Sequence, residues 1–516
     1  MASLKLDSFG LVLDGTPLLE EIGFVLEAEQ AIGLIGPRGA GKSILALAIS
    51  GLQPARARTT GSIAVDGAPL PADEAGRAKV RSKQIVTLIQ NAGDALDPLR
   101  TAADQLRLAI GDNAASADRL LGEVGLEAAD GARYPSELSA QQRQCLGLAL
   151  ALAREPELLI ADEPTTGLDF AAQRRLLDLI GRHQKERGMG LLLVSRDVRA
   201  VAMLCARVMV MAGGRIIESG IKEVVFGYPK QEISRRALSS GRQRARTLMR
   251  TPIGGLLLEA NAATRRVRPK AGGWRPPTLI LDKVTFSMRA GESVAVLGAS
   301  GAGKTTLGRA IAGLDRLSAG TLSFDGHLYR GSDISETVRR DIGMVFAEPR
   351  LSFDPRRTVG ESIAEPLRLE DQRQLDDSSA RLVEIVTAMG LTTSVFNRHP
   401  GDFTDGELMR FAIVRALVTR PRLVILDEPL AALDITERAE MMVLLNRLRA
   451  DFGLTLLVLS RDVETVRMLA DRVVLLDKGQ VIETGLLAQL IEGAQSPVTR
   501  ALLAADLPAL GIVPVF

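Results

Sequence analysis

The sequence predicts an α/β fold built twice over, from three observations. Lys42 and Lys304 lie 262 residues apart, while Glu163 and Glu428, like Asp169 and Asp434, lie 265 apart, so one module has been duplicated. In each copy an apolar run, AIGLIG or SVAVLG, leads through glycines into LALAISGL or LGRAIAGL, a strand, a loop and a helix in succession. Later runs, LLIADEP with LLLVS and LVILDEP with LLVLS, have the continuous aliphatic character of parallel strands buried on both faces. A mostly parallel sheet flanked by helices follows in each copy.

Length agrees, because 516 residues exceed what one ordinary core organises, whereas two α/β modules of roughly 250 residues are of usual size. Aromatics make up only 3% of the chain against 46% hydrophobic residues in all, so both cores must pack through aliphatic side chains. The net charge of +2 is what remains of 64 basic and 62 acidic residues, and it points to no nucleic-acid partner. Cys145 and Cys205 are the only cysteines and fall in helical stretches, against a disulfide framework or a thiolate metal cluster. The start, MASLKLDSFG, lacks the pattern of a signal peptide, and no apolar run is long enough to span a bilayer. Any membrane span is expected from a partner.

The expected division is a first module over 1–240, a basic Gly/Pro/Arg-rich connector over 241–276 and a second module over 277–516. RQRARTLMR and RRVRPKAGGWRPP mark the connector, which overlaps the first strand of the second module at LLLEA.

The glycine-rich loops are Gly36-Pro37-Arg38-Gly39-Ala40-Gly41-Lys42-Ser43 and Gly298-Ala299-Ser300-Gly301-Ala302-Gly303-Lys304-Thr305. Both match G-x-x-x-x-G-K-[ST] between a strand and a helix, where backbone N–H groups and the helix N-terminus cradle phosphates. Lys42 and Lys304 are placed to reach the β and γ phosphates of ATP, and Ser43 and Thr305 to ligate Mg2+. Downstream, Asp162-Glu163 and Asp427-Glu428 end apolar strands, the sheet edge at which open α/β folds bind ligands. The aspartate suits the metal. The glutamate suits a general base for the water that attacks the γ-phosphate. A lone carboxylate pair of this kind is often just a helix cap, and the loop upstream favours chemistry.

These motifs, with GLD or ALD after each DEP and YPSELS or RHPGDFT before it, resemble the ATPases of ABC transporters over nearly the whole chain. The resemblance implies two P-loop modules, each with an antiparallel β subdomain and a helical subdomain beside the parallel sheet. It implies that Asp169 and Asp434 are aspartates communicating between sites. It also assigns the LSGGQ-type signature, which in the family closes over the γ-phosphate held by the opposite module. Here that stretch reads Leu138-Ser139-Ala140-Gln141-Gln142 and Phe403-Thr404-Asp405-Gly406-Glu407, both degenerate, with Ser139, Gln142, Thr404 and Gly406 the expected nucleotide contacts.

Other departures are plain. The glutamine that in the family links metal and γ-phosphate to the permease aligns with Gln90, eight residues before Pro98; the same spacing before Pro355 gives Ala347. The family's switch histidine is replaced by Arg196 and Arg461, and His183, His327 and His399 do not lie at that spacing. An arginine there can bond the γ-phosphate as a permanent cation, or can merely pair with its neighbour, Asp197 or Asp462. The adenine-stacking aromatic is also absent, Leu13 and Val267 standing near its places. Slow but genuine hydrolysis is the expectation, with one silent site or a purely nucleotide-binding pair as the other outcomes.

Within the family the likeness is to the ATPases of peptide, opine and nickel importers, through NRHP, TVGESIAEPLRL and the tails YPKQEISRRALSS and SPVTRALLAADLP. It implies transmembrane permease subunits and an extracytoplasmic solute-binding protein as partners, and a peripheral place on the cytoplasmic face of the inner membrane. The iron–sulfur cluster that many such subunits carry is not expected from two separated cysteines. A soluble tandem cassette acting on ribosomes or DNA fits less well, since the connector is short and the signatures eroded. A nucleotide-sensing regulatory subunit is favoured only by the missing histidine and glutamine.

Overall fold

A computed structural model describes residues 3–90, 92–111, 114–166, 168, 170–235, 252–267, 277–369, 381–431, 433 and 435–504. The chain divides into two compact units, the first made mainly of Met1–Gln243 and the second of Arg244–Leu433 and Glu437–Ala505.

In the first unit a six-stranded sheet runs in the order Arg215–Ile221, Arg207–Ala212, Ala31–Ile35, Gly190–Val194, Leu158–Asp162, Ile85–Leu88. All neighbours are parallel except the outermost pair, Arg215–Ile221 with Arg207–Ala212. Every residue of Ala31–Ile35, Leu158–Asp162 and Gly190–Val194 is buried, which is why these segments lack a polar alternation. Helix Val198–Leu204 lies so close to Ala31–Ile35 that a Cβ on Gly33 would come within 2.1 Å of Val201 Cγ1. A second, antiparallel sheet has the order Thr16–Leu26, Leu4–Leu13, Arg58–Val65, Ala68–Pro69. Helices Ala102–Ile110, Ala114–Glu123 and Ala140–Ala153 fall between strands Ile85–Leu88 and Leu158–Asp162 and form the helical part.

The second unit repeats the plan. Its six-stranded sheet runs Ile342–Val345, Leu423–Asp427, Thr455–Ser460, Ser293–Leu297, Arg472–Asp477, Gln480–Gly485, and its antiparallel sheet Thr278–Arg289, Leu256–Val267, Ala319–Phe324, His327–Tyr329. Leu256–Val267, the strand at which the expected connector overlaps the second module, lies inside that sheet, paired on both sides. Residues 241–251 and 268–276 of the connector lie outside the described residues. Both cores are overwhelmingly aliphatic, each wholly buried Leu or Val contributing roughly 1.5–3 kcal/mol.

Both tails are anchored by one device. Glu218 accepts the backbone N–H groups of Lys230 (3.0 Å) and Gln231 (3.3 Å), and Glu483 those of Gln495 (2.8 Å) and Ser496 (3.3 Å). Cys145 sits inside helix Ala140–Ala153 and Cys205 just past the end of Val198–Leu204, both buried thiols. Among the described residues no helix is long and apolar enough to cross a membrane.

Candidate functional site

Each site assembles where the central strand of the parallel sheet ends. Strand Ala31–Ile35 gives way to the loop from Gly36 and then to helix Lys42–Ile49, and Ser293–Leu297 to the loop from Gly298 and helix Lys304–Ile311. Gly41 and Gly303 precede these helices with φ of 99° and 104°, a conformation that a side chain would strain. A Cβ on Gly36 would come within 2.1 Å of Met211 O, and one on Gly298 within 2.2 Å of Leu476 O, so only glycine lets the loop lie against its neighbouring strand. Ala40 and Ala302 are buried under the loop; Arg38, Gly39, Ser300 and Gly301 are exposed, and Pro37 and Ala299 half-buried. Lys42 Nζ donates to Gly36 O (2.7 Å) and Pro37 O (2.9 Å), and Lys304 Nζ to Gly298 O (2.8 Å) and Ala299 O (3.0 Å). The lysines thus span their loops from within, each buried despite its charge. Burial holds Lys304 below the usual lysine range, against the pull of Glu428.

Beside the loops lie the acidic pairs. Thr305 Oγ1 donates to Asp427 Oδ1 at 3.1 Å. Burial raises the pKa of both Asp162 and Asp427, opposed by hydrogen bonds from Ser43 and Thr305 and by the charges of Lys42 and Lys304. Asp162 Oδ1 is buried with no hydrogen-bond partner. An acceptor-only oxygen left so is costly unless a cation meets it, so the donor set of a hydroxyl and a carboxylate fits Mg2+.

Glu163 and Glu428 come next, with φ of 49° and 45°, left-handed backbone that a non-glycine residue adopts at a cost of about 1–3 kcal/mol. The turn is fixed by Glu163 N donating to Val194 O (2.8 Å) and Glu428 N to Leu459 O (2.9 Å). The same strain at the same point of both copies is what a functional position would hold. Burial raises both glutamates, and charged partners partly restore ionisation: chiefly Arg196 for Glu163, and Lys304 followed by Arg461 for Glu428. Arg196 Nε donates to Glu163 Oε1 at 2.9 Å, and Lys304 Nζ lies 3.7 Å from Glu428 Oε1.

Asp197 caps helix Val198–Leu204 and accepts from Gln173 and Arg199, and Asp462 caps Val463–Leu469 and faces Arg438 at 3.6 Å. Arg196 turns to the glutamate. Spacing could not show this, since the two residues lie on different strand ends.

Gln90 is half-buried just beyond strand Ile85–Leu88, and Ala347 holds the matching place after Ile342–Val345. Ser139 caps helix Ala140–Ala153 with Gln142 N donating to its Oγ at 3.2 Å, and Thr404 caps Asp405–Leu417 in the same way through Glu407 N at 3.2 Å. Both signatures therefore sit at helix N-termini, with Gly406 buried in the first turn of the second. Leu13 and Val267 end equivalent strands, opposite Thr16 and Thr278. Asp169 and Asp434 lie outside the described residues.

A twice-built parallel sheet with a phosphate-binding loop, a strand-end Asp-Glu pair and a helix-capping signature defines a tandem P-loop nucleotide-binding ATPase. Comparison with known proteins narrows the class. The family model described as "ABC transporter" matches residues 19–166 and 281–431. The chain is 34% identical over 508 residues to the peptidoglycan transport ATP-binding protein YejF of Agrobacterium fabrum, covering 94% of this chain and 92% of that one. It is 31% identical over 553 residues to the glutathione import ATP-binding protein GsiA of Escherichia coli, covering 94% and 86%. Among solved structures, RNase-L Inhibitor superposes with a TM-score of 0.64 at 18% identity over 92% of this chain and 90% of that one, a likeness of fold. The chain belongs to the ABC transporter family and is an ABC-type ATPase with two nucleotide-binding modules.

Proposed function

We propose that this ATPase energises an importer of peptides or similar small solutes, with transmembrane permease subunits and an extracytoplasmic solute-binding protein as its partners, from the cytoplasmic face of the inner membrane. The observation that supports the chemistry best is the twofold grouping of lysine, hydroxyl, aspartate and glutamate at one strand end, with Asp162 Oδ1 buried and unpartnered. The import reading rests on relatives named for peptidoglycan transport and glutathione import. Opines or nickel are the remaining cargo classes within the same reading.

In this mechanism the loops bind the triphosphate through backbone N–H groups and the helix N-termini, and Lys42 and Lys304 exchange their carbonyl partners for phosphate oxygens. Ser43 with Asp162 and Gln90, and Thr305 with Asp427, would hold Mg2+, which would supply charge neutralisation at the phosphates. Glu163 and Glu428 accept the proton of the attacking water, and burial, by raising their pKa values, makes them stronger bases than free carboxylates. Arg196 and Arg461 oppose the effect of burial by favouring the ionised glutamates, and present a cation next to them. Ser139 with Gln142, and Thr404 with Gly406, complete the phosphate contacts, and Asp169 and Asp434 communicate between sites. Steady-state phosphate release with and without Mg2+ tests the proposal: turnover should need the metal, and turnover unaffected by chelation would reject it.

A further inference from the structure

In module two the first turn of the signature helix carries two carboxylates, Asp405 and Glu407, where module one has none; Glu407 is taken up by the cap, accepting from Thr404 N at 2.8 Å and Thr404 Oγ1 at 3.0 Å. Asp405 stands in the position that Ala140 occupies in module one, directly after the capping residue, Thr404 or Ser139. A carboxylate there meets any anion approaching the helix N-terminus with like-charge repulsion. Arg350 answers it. From the 3-10 turn Pro349–Ser352, three residues beyond Ala347, its Nε donates to Asp405 Oδ1 at 3.1 Å, while its terminal nitrogens donate to Phe403 O (2.8 Å) and Pro400 O (3.4 Å).

Module one solves the same local problem differently. Its equivalent carbonyls, Leu138 O and Pro135 O, are held at 2.7 and 3.4 Å by Arg143, which comes from the signature helix itself. The residue three beyond Gln90 is Gly93, and a Cβ there would come within 2.9 Å of Arg143 Nε. In one copy the arginine arises on the helix and lies over a glycine of the facing segment. In the other it arises on the facing segment, where the helix offers Leu408 instead. Only the second placement touches the first-turn carboxylate.

We propose that Arg350 is a positioning residue that neutralises Asp405 and so lowers the like-charge repulsion that an anion meets at the module-two signature. The proposal rests on the reading of Phe403 to Glu407 as a segment that faces the triphosphate. Both side chains are partly solvent-exposed, so the pair is placed to set local charge more than stability. Arg415, which donates to Ser352 O (2.7 Å) and Ser352 Oγ (3.0 Å), keeps the turn docked on the helix without Arg350.

The test is epistasis in the full chain, read as Mg-ATP turnover beside a thermal melt. Arg350→Ala should lower kcat about tenfold at unchanged Tm, and Arg350→Lys, which keeps the charge and loses the fork to the carbonyls, should retain most of it. In an Asp405→Ala background, Arg350→Ala should change kcat by less than about twofold, because the carboxylate with which Arg350 pairs is gone. Equal losses in both backgrounds would mean that Arg350 merely props the Pro400 and Phe403 carbonyls, and would overturn the proposal, as would full turnover in Arg350→Ala. Wild-type turnover is measured first: its absence overturns the ATPase chemistry itself, whereas normal wild-type turnover with additive losses overturns only the role of Arg350.

Discussion

Arg196 Nε donates to Glu163 Oε1 at 2.9 Å, so the residue in the family's switch-histidine position is bonded to the proposed general base. The permanent cation ties the carboxylate down while favouring its ionised form, and both effects have to be overcome or used when phosphate arrives. Glu163→Gln or Glu428→Gln should lower turnover by about 10²-fold or more while Mg-ATP binding persists, the usual weight of a general base. Phosphate release and equilibrium binding on the same preparations check this. Unchanged turnover in the double variant would exclude both glutamates as bases.

Asp162 should be a site at which function opposes stability. Its folded pKa is raised by burial, so its contribution is present below the ordinary 3.8 and is lost as pH rises through the folded value; at pH 7 the ionised group weakens the nucleotide-free protein. Asp162→Asn should therefore raise Tm without nucleotide by a few degrees, since about 1 kcal/mol moves Tm by roughly 2–4 °C in a unit of this size. The same variant should lose the further rise that Mg-ATP gives the wild type. A lower Tm in its absence would contradict the account.

His183 gives the opposite sign. Burial, aided by Arg187, lowers its pKa against the pull of Glu123, whose Oε2 lies 3.6 Å from Nε2, and Nδ1 is buried without a partner. Stability from keeping it neutral is present above the ordinary 6.5 and is lost as pH falls through the folded value. His183→Gln should flatten the fall in urea midpoint between pH 7.5 and 5.5 relative to wild type. Parallel slopes would show that His183 does not couple folding to protonation.

Gly36→Ala and Gly298→Ala should each distort a phosphate loop, because the added methyl would meet a backbone carbonyl at 2.1 or 2.2 Å. Overpacking of that kind costs about 1–3 kcal/mol, spent here on the geometry of the cradle. Nucleotide affinity should fall more than tenfold at one site per chain in each variant, as calorimetric stoichiometry reports. Alanine at Gly39 or Gly301, where a Cβ meets nothing within 4 Å, probes the φ constraint alone and should cost less.

What could be read in advance was what short segments fix by themselves. The loops from Gly36 and Gly298 and the aliphatic strands ending at Asp162 and Asp427 are local patterns whose physics needs no distant partner. The pairing of Arg196 with Glu163, 33 residues away, was not legible, because the nearer Asp197 looked an equally good partner until its role as a helix cap was seen. Arg350 and Asp405 are 55 residues apart and meet only because the signature helix packs on the turn after strand Ile342–Val345. A lone arginine in a turn gives no sign of that.

In the proposed mechanism each module holds one magnesium nucleotide in its glycine-lined loop. Isothermal titration of the full chain with Mg-ATP, using the Glu163→Gln, Glu428→Gln double variant to prevent turnover, tests it most directly. Two nucleotides per chain are expected, falling to one with Lys42→Ala or Lys304→Ala added. No uptake, or a stoichiometry of two that survives loss of either lysine, would contradict it.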